Sequence, residues 1–145
     1  MTKGATTTDA AIDAFLSKPR YGVLAMSRED GTPIAVPVWF EWDGSIVRMF
    51  SSASSPKMRR LQRDARASLL VANDVDEREA WIAFDGTIAI LDEGAFELAE
   101  RLAPRYWDLS DPGRRDTLET WRKGTSAIRM LELTPSAIRT YGALV

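Results

Sequence analysis

The sequence predicts a mainly β protein: one domain built on a small closed antiparallel barrel with helices packed outside it. Three observations carry this reading. Apolar residues alternate with period two over six or seven short segments, and few helical stretches lie between them, which excludes a doubly wound parallel sheet. The 145 residues, 45% hydrophobic and 28% charged with no low-complexity tract, are enough to bury a real core. Neither a GxxxxGK[ST] loop nor a GxGxxG turn is present, so the common nucleotide folds are out.

The elements follow in order. Residues 1–7 read as a flexible N-terminus of a domain spanning 1–145. A helix over 8–18 carries Ala11, Ile12, Phe15 and Leu16 as one stripe and ends at Lys18 before Pro19. The period then changes to two: a strand over 21–27 (YGVLAMS), a turn at Arg28-Glu29-Asp30-Gly31, a strand over 32–42 (TPIAVPVWFEW), a tight turn at Asp43-Gly44 and a strand over 46–51, together an antiparallel meander. In the second strand Ile34, Val36, Val38, Phe40 and Trp42 share a core face, while Ala35, Pro37, Trp39 and Glu41 share the other. Pro37 cannot donate to a ladder, so it marks an edge, a bulge or the approach of another molecule. Trp39 on its face is then either a half-buried edge residue or part of a flat platform for a ring system.

A short helix over 56–64 is expected next, with Ser55 as N-cap, Pro56 at the first helical position, and Met58 and Leu61 inward. Strands follow over 67–72 (ASLLVA) and 80–91 (AWIAFDGTIAIL), separated by the acidic loop DVDERE. Asp85-Gly86 interrupts the second of these; a bulge and a hairpin both fit, and a bulge bending the strand around a barrel is favoured. Helices over 93–105 and 112–123 precede a sixth strand over 125–133, which Thr134-Pro135 breaks, and a short seventh over 137–141.

The helix at 56–64 breaks a local rule. Lys57 and Arg59 stand in its first turn, where the helix dipole is already positive, and no Asp or Glu offsets them. The chain as a whole has a net charge of −2, yet Lys57, Arg59, Arg60, Arg63 and Arg66 crowd into ten residues. A solvated basic face is one explanation. The other is an anion: free N–H groups at a helix start, serine hydroxyls from SSASS and a lysine overhead make a phosphate cradle.

There is no histidine and no cysteine. That removes disulfides, thiolate and Ser-His-Asp catalysis, and nearly all metal sites using nitrogen or sulfur ligands. No carboxylate cluster suggests a metal, and no acid or base is singled out for catalysis, so in an enzyme of this composition a bound organic cofactor carries the chemistry. The acidic balance argues against a nucleic-acid partner. No apolar run approaches the ~20 residues of a membrane span, and MTKGATTTDA is not a signal peptide, so the expected location is cytoplasmic.

Three stretches, GVLAMSREDGTPIAVPVWFEWDG, SSASSPKMRRLQRDARASLLV and AWIAFDGTIAIL, in this order and spacing, resemble the flavin-binding split barrels, in particular the pyridoxamine 5′-phosphate oxidase-like proteins and their deazaflavin-dependent branch. The resemblance spans the first helix to Tyr141. It implies a six-stranded antiparallel split barrel and a homodimer holding FMN or a deazaflavin (coenzyme F-420) at the subunit interface. It further implies that the ring lies against the second and third strands at Val36, Pro37, Val38, Trp39, Phe50 and Ser52. The phosphate would meet Ser51, Ser52, Ser55 and Lys57, with Arg60 as a second contact, and Trp81, Arg129 and the region of Tyr141 would face the partner chain's cofactor. Authentic pyridoxamine phosphate oxidases are longer and use histidine and arginine at the pyridoxal phosphate end, so the absence of histidine argues against that reaction here. The function expected is hydride transfer to or from a small conjugated or aromatic substrate. The competing readings are a non-catalytic binder of a flavin, tetrapyrrole or lipid in the same pocket, and a small-barrel nucleic-acid binder using the basic helix.

Overall fold

A computed structural model describes residues 9–142 and Leu144; the expected flexible segment 1–7 lies outside them. The elements are α1 (Asp9–Ser17), β1 (Gly22–Ser27), β2 (Pro33–Val38), β3 (Glu41–Trp42), β4 (Val47–Ser52), α2 (Pro56–Arg63), β5 (Arg66–Ala72), β6 (Ala80–Leu91), α3 (Ala95–Tyr106), α4 (Pro112–Lys123) and β7 (Ile128–Gly142). All neighbouring strands pair antiparallel, in the order β2-β1-β5-β6-β7-β4-β3. The two edge strands, β2 and β3, are consecutive in the chain and separated only by Trp39 and Phe40. The sheet must therefore curl until its edges meet, and the result is a split barrel, with seven strands rather than the six expected because the stretch 32–42 supplies both edges.

Two expectations about strands change. The stretch 32–42 is not one strand in a meander: it breaks at Trp39 and Phe40 into β2, which pairs with β1, and β3, which pairs with β4. Alternation continues across the break because Phe40 still points into the core, where it is 1% exposed. The sixth and seventh strands are in turn a single 15-residue strand, β7, running through Thr134 and Pro135. The register passes from Asp85↔Ala137 to Gly86↔Pro135, leaving Ser136 as the extra residue. The favoured bulge is thus present, but its added residue belongs to β7, and Pro135 is tolerated because it stands at that interruption.

Inside the barrel Leu24, Val47, Met49, Leu69, Val71, Ile82, Phe84, Leu131 and Leu133 are fully buried. Ile12, Phe15 and Leu16 of α1 and Met58 and Leu61 of α2 join this cluster. A second cluster lies outside the sheet, where Ala95 and Phe96 of α3 meet Phe50, Leu118, Trp121, Ile128 and Met130. The outer face of β1, β5, β6 and the end of β7 has no such cover: Val23, Leu70, Ile138 and Tyr141 are 37 to 46% exposed.

The acidic loop between β5 and β6 is clamped to the end of α1. Arg20 is buried, its Nε donates to the Phe15 carbonyl (3.0 Å), its guanidinium lies 4.0 Å above the Phe15 ring, and it forms a two-pronged pair with Glu77. Lys18 adds ion pairs of 3.0 Å to Asp74 and Glu77. Arg20 first, then the Asp74 N–H and Lys18, hold the Glu77 carboxyl far below its usual range. A depressed carboxylate contributes stability above the unfolded-state pKa, ~4.3, and loses it as pH falls toward the folded value. Glu77→Gln is therefore expected to lower the Tm at pH 7, with the gap to the parent protein closing as pH drops below about 4; a gap that stays constant from pH 7 to 3 would refute the clamp.

Candidate cofactor site

β2 has a ladder partner on one side only, and β4 pairs with β3 only at Val47 and Arg48. Beyond those residues the register of β3 with β4 would set Trp39 beside Phe50, Val38 beside Ser51 and Pro37 beside Ser52. The ladder stops there instead. Trp39 and Phe50 still touch edge-on, with ring centroids 5.8 Å apart, and they mark the vertex of the split. Pro37, which has no N–H, could not have closed it. From this vertex two lips diverge, β2 on one side and residues 49–52 of β4 on the other, each offering unpaired backbone donors and acceptors along a sheet edge. These lips contain the expected ring-contacting residues Val36, Pro37, Val38, Phe50 and Ser52.

The serine loop and α2 follow directly from the β4 lip. Ala53 N–H donates to the Ala127 carbonyl (2.8 Å), Ser55 N–H to the Ser52 carbonyl (3.1 Å), and the Ser52 and Ser54 hydroxyls are 2.9 Å apart, so the loop is internally braced. Ser55 caps α2, its Oγ accepting from the Lys57 N–H at 3.3 Å, and Pro56 occupies the first helical position as expected. Ser51 is buried, and its hydroxyl has no partner among the described residues. The Lys57 side chain is half-buried and likewise unpartnered among the described residues. Burial, and secondarily the charge of Arg60, push its pKa down. Both causes describe a cation in want of an anion, and α2 has no acid in its first turn to supply one.

The remaining expected residues are distributed as follows. Arg129 is the cross-strand neighbour of Ser51, but its guanidinium is engaged, donating to the Ser126 carbonyl (2.6 Å) and pairing with Asp92 (3.2 Å). It lines a cavity of about 520 Å³ with Ala53, Met58 and Leu61, in which neither Lys57 nor Arg60 takes part. Trp81 stands on β6 at the middle of the sheet and shares a depression with Ala35 of β2. It stacks on Tyr141 at 6.0 Å on the uncovered sheet face, under the guanidinium of Arg139.

Trp39 is half-buried among aromatic rings. Its ring stacks on Tyr106 (5.0 Å, 4° between planes) and meets Trp107 edge-on at 4.7 Å, while Phe50 packs against Trp121 at 5.3 Å. Tyr106, Trp107 and Trp121 form an aromatic wall that sequence reasoning missed; the adjacent aromatics at the end of α3 were the available signal.

The profile of the pyridoxamine 5′-phosphate oxidase family matches residues 8–141, almost the whole chain. The chain belongs to this family. Three solved structures show the same fold as this family member. An F420 reductase is 23% identical with a TM-score of 0.71, covering 96% of this chain and 98% of its own. A conserved hypothetical protein from Mycobacterium tuberculosis is 23% identical with a TM-score of 0.74, covering 99% and 91%. The FAD and haem binding protein from Mycobacterium smegmatis is 22% identical with a TM-score of 0.70, covering 95% and 72%. No helix among the described residues is long and apolar enough to cross a membrane.

Proposed function

We propose that this protein is an oxidoreductase that uses a bound deazaflavin (coenzyme F-420) or FMN to move hydride to or from a small conjugated or aromatic substrate. The observation that carries the reading is the split, two unpaired sheet edges ending at a serine-capped helix whose Lys57 has no acid. A planar ring with alternating donors and acceptors fits the lips, and a phosphate fits Ser51, Ser52, Ser55, Lys57 and Arg60. The cofactor would supply the hydride chemistry. This chain's part would be to hold the phosphate at the Lys57 ammonium, orient the ring edge along β2 and β4, and keep water from one side with the aromatic wall behind Trp39. No side chain is required as an essential acid, which suits a chain without histidine.

The uncovered sheet face supports a homodimer as part of the same proposal. It is apolar, with a depression of about 470 Å³ lined by Val23, Leu70, Ala72, Trp81 and Ala83, and apolar faces of this kind mark association surfaces. Trp81 would then reach a cofactor through the partner copy rather than its own split.

Titration of the purified protein with FMN and, separately, with the deazaflavin is expected to show saturable binding of at least one with micromolar or better affinity. Flat titrations with both would overturn the proposal. Reduction of an acceptor under turnover distinguishes the enzyme from a non-catalytic carrier.

A further inference from the structure

A cavity of about 820 Å³ lies between the outward flank of α2 and the β1–β2 turn. Arg28, Arg59, Arg60 and Arg63 line it, against only two acids, Glu29 and Asp30. It is distinct from the cradle at Lys57, which does not line it. At 100° per residue Arg59 and Arg63 point well over 90° away from Lys57 around the helix, and Arg60 alone stands between the two sites.

The groove is braced from both sides. Arg63 donates to the Ser27 carbonyl (3.0 Å), tying α2 to the end of β1, and Arg28 donates to the Pro33 carbonyl (3.0 Å) across the turn. Asp30 is committed within that turn, accepting from the Thr32 N–H (3.0 Å) and Oγ1 (2.7 Å). Arg59 and Arg60 have no hydrogen-bond or ion-pair partner among the described residues. Guanidinium groups bind phosphate and carboxylate through two parallel hydrogen bonds, so several arginines around one space match a ligand with several anionic groups better than a single monoanion. The volume lies within the ~300–1,000 Å³ common for small-molecule sites. No aromatic or large apolar side chain lines it, so nothing is offered for a base or ring to stack upon.

We propose that this groove is a second anion site, separate from the cofactor phosphate site, which takes a small non-aromatic molecule bearing two or more phosphate or carboxylate groups. It holds whether or not the cofactor reading does, because apart from Arg60, which borders both sites, its residues lie outside the split.

Calorimetric titration of the full chain with tripolyphosphate at low salt tests it. The expected result is a groove site that persists in Lys57→Ala, where the cofactor-phosphate cradle is disabled, and is weakened about tenfold or more by adding Arg59→Glu to that variant, with orthophosphate binding there far more weakly than tripolyphosphate. Arg59 is exposed and unpartnered, so Arg59→Glu alone is expected to keep the parent Tm, and FMN or deazaflavin affinity should change by less than about threefold, the scale of a screened charge at a distance. Three outcomes would overturn the proposal: no binding of tripolyphosphate, binding abolished by Lys57→Ala but not by Arg59→Glu, or a single-stranded oligonucleotide binding more tightly than tripolyphosphate.

Discussion

Lys57→Ala is expected to weaken cofactor binding by about tenfold or more, the loss of one charge-assisted hydrogen bond of at least ~1.5 kcal/mol. The direction follows from what Lys57 lacks. It is half-buried at a helix start, its charge already disfavoured by burial and by Arg60, and no acid among the described residues answers it. A lysine in that position costs the apo protein a little, about 0.3 to 1 kcal/mol against the helix dipole. The alanine variant should therefore keep or slightly raise the Tm without cofactor while losing affinity with it. That opposition separates a binding role from a structural one, since a packing lysine would lower both. Affinity within about twofold of the parent protein would place the phosphate elsewhere.

Gly86→Ala should cost about 3 kcal/mol, at the upper end of overpacking penalties, and lower the Tm by roughly 10 °C. A Cβ at this position would fall onto the Thr134 carbonyl oxygen and stand 2.9 Å from the Thr134 carbonyl carbon and 3.0 Å from the Pro135 Cα. These are backbone atoms of the neighbouring strand, held by the longest ladder in the sheet, so they cannot yield as a side-chain tip would. The close approach exists because Ser136 adds a residue to β7 there and bends it around the barrel. Thermal unfolding of the variant measures the effect, and a Tm within 2 °C of the parent would mean that the bulge relaxes freely.

Much of this architecture was readable in the chain. Helices carry caps and stripes, so α2 and α4 appear within a residue of their sequence-based limits, each opened by a capping side chain and a proline. Pro37 marked an edge, a bulge or the approach of another molecule, and β2 is an edge strand. The misplaced cations of α2 offered either a solvated face or an anion site, and the structure leaves Lys57 and Arg59 unpaired among the described residues. What was not readable depends on contacts between distant parts of the chain. Residues 39 and 40 keep the alternation of the strands on both sides, and only the topology shows that β2 and β3 lie on opposite edges. Thr134-Pro135 reads as a break because proline usually ends a strand; the bulge against Gly86 that tolerates it comes from a strand nearly 50 residues earlier. The packing of Trp39 under Tyr106 and Trp107 is likewise set by α3, far along the sequence.

The closure of the sheet through Trp39 and Phe40 also decides how the split can move. With Phe40 anchored in the core and Trp39 gripped by three aromatic neighbours, the two lips behave as the blades of a pair of tweezers joined at a fixed pivot. Widening at the pivot would require core disruption, and the far ends are tied as well, because Arg63 of α2 donates to the carbonyl of Ser27, the ladder partner of Pro33. The spacing between the lips is thus fixed at both ends, by the aromatic grip on Trp39 and by the Arg63 tie beside Pro33.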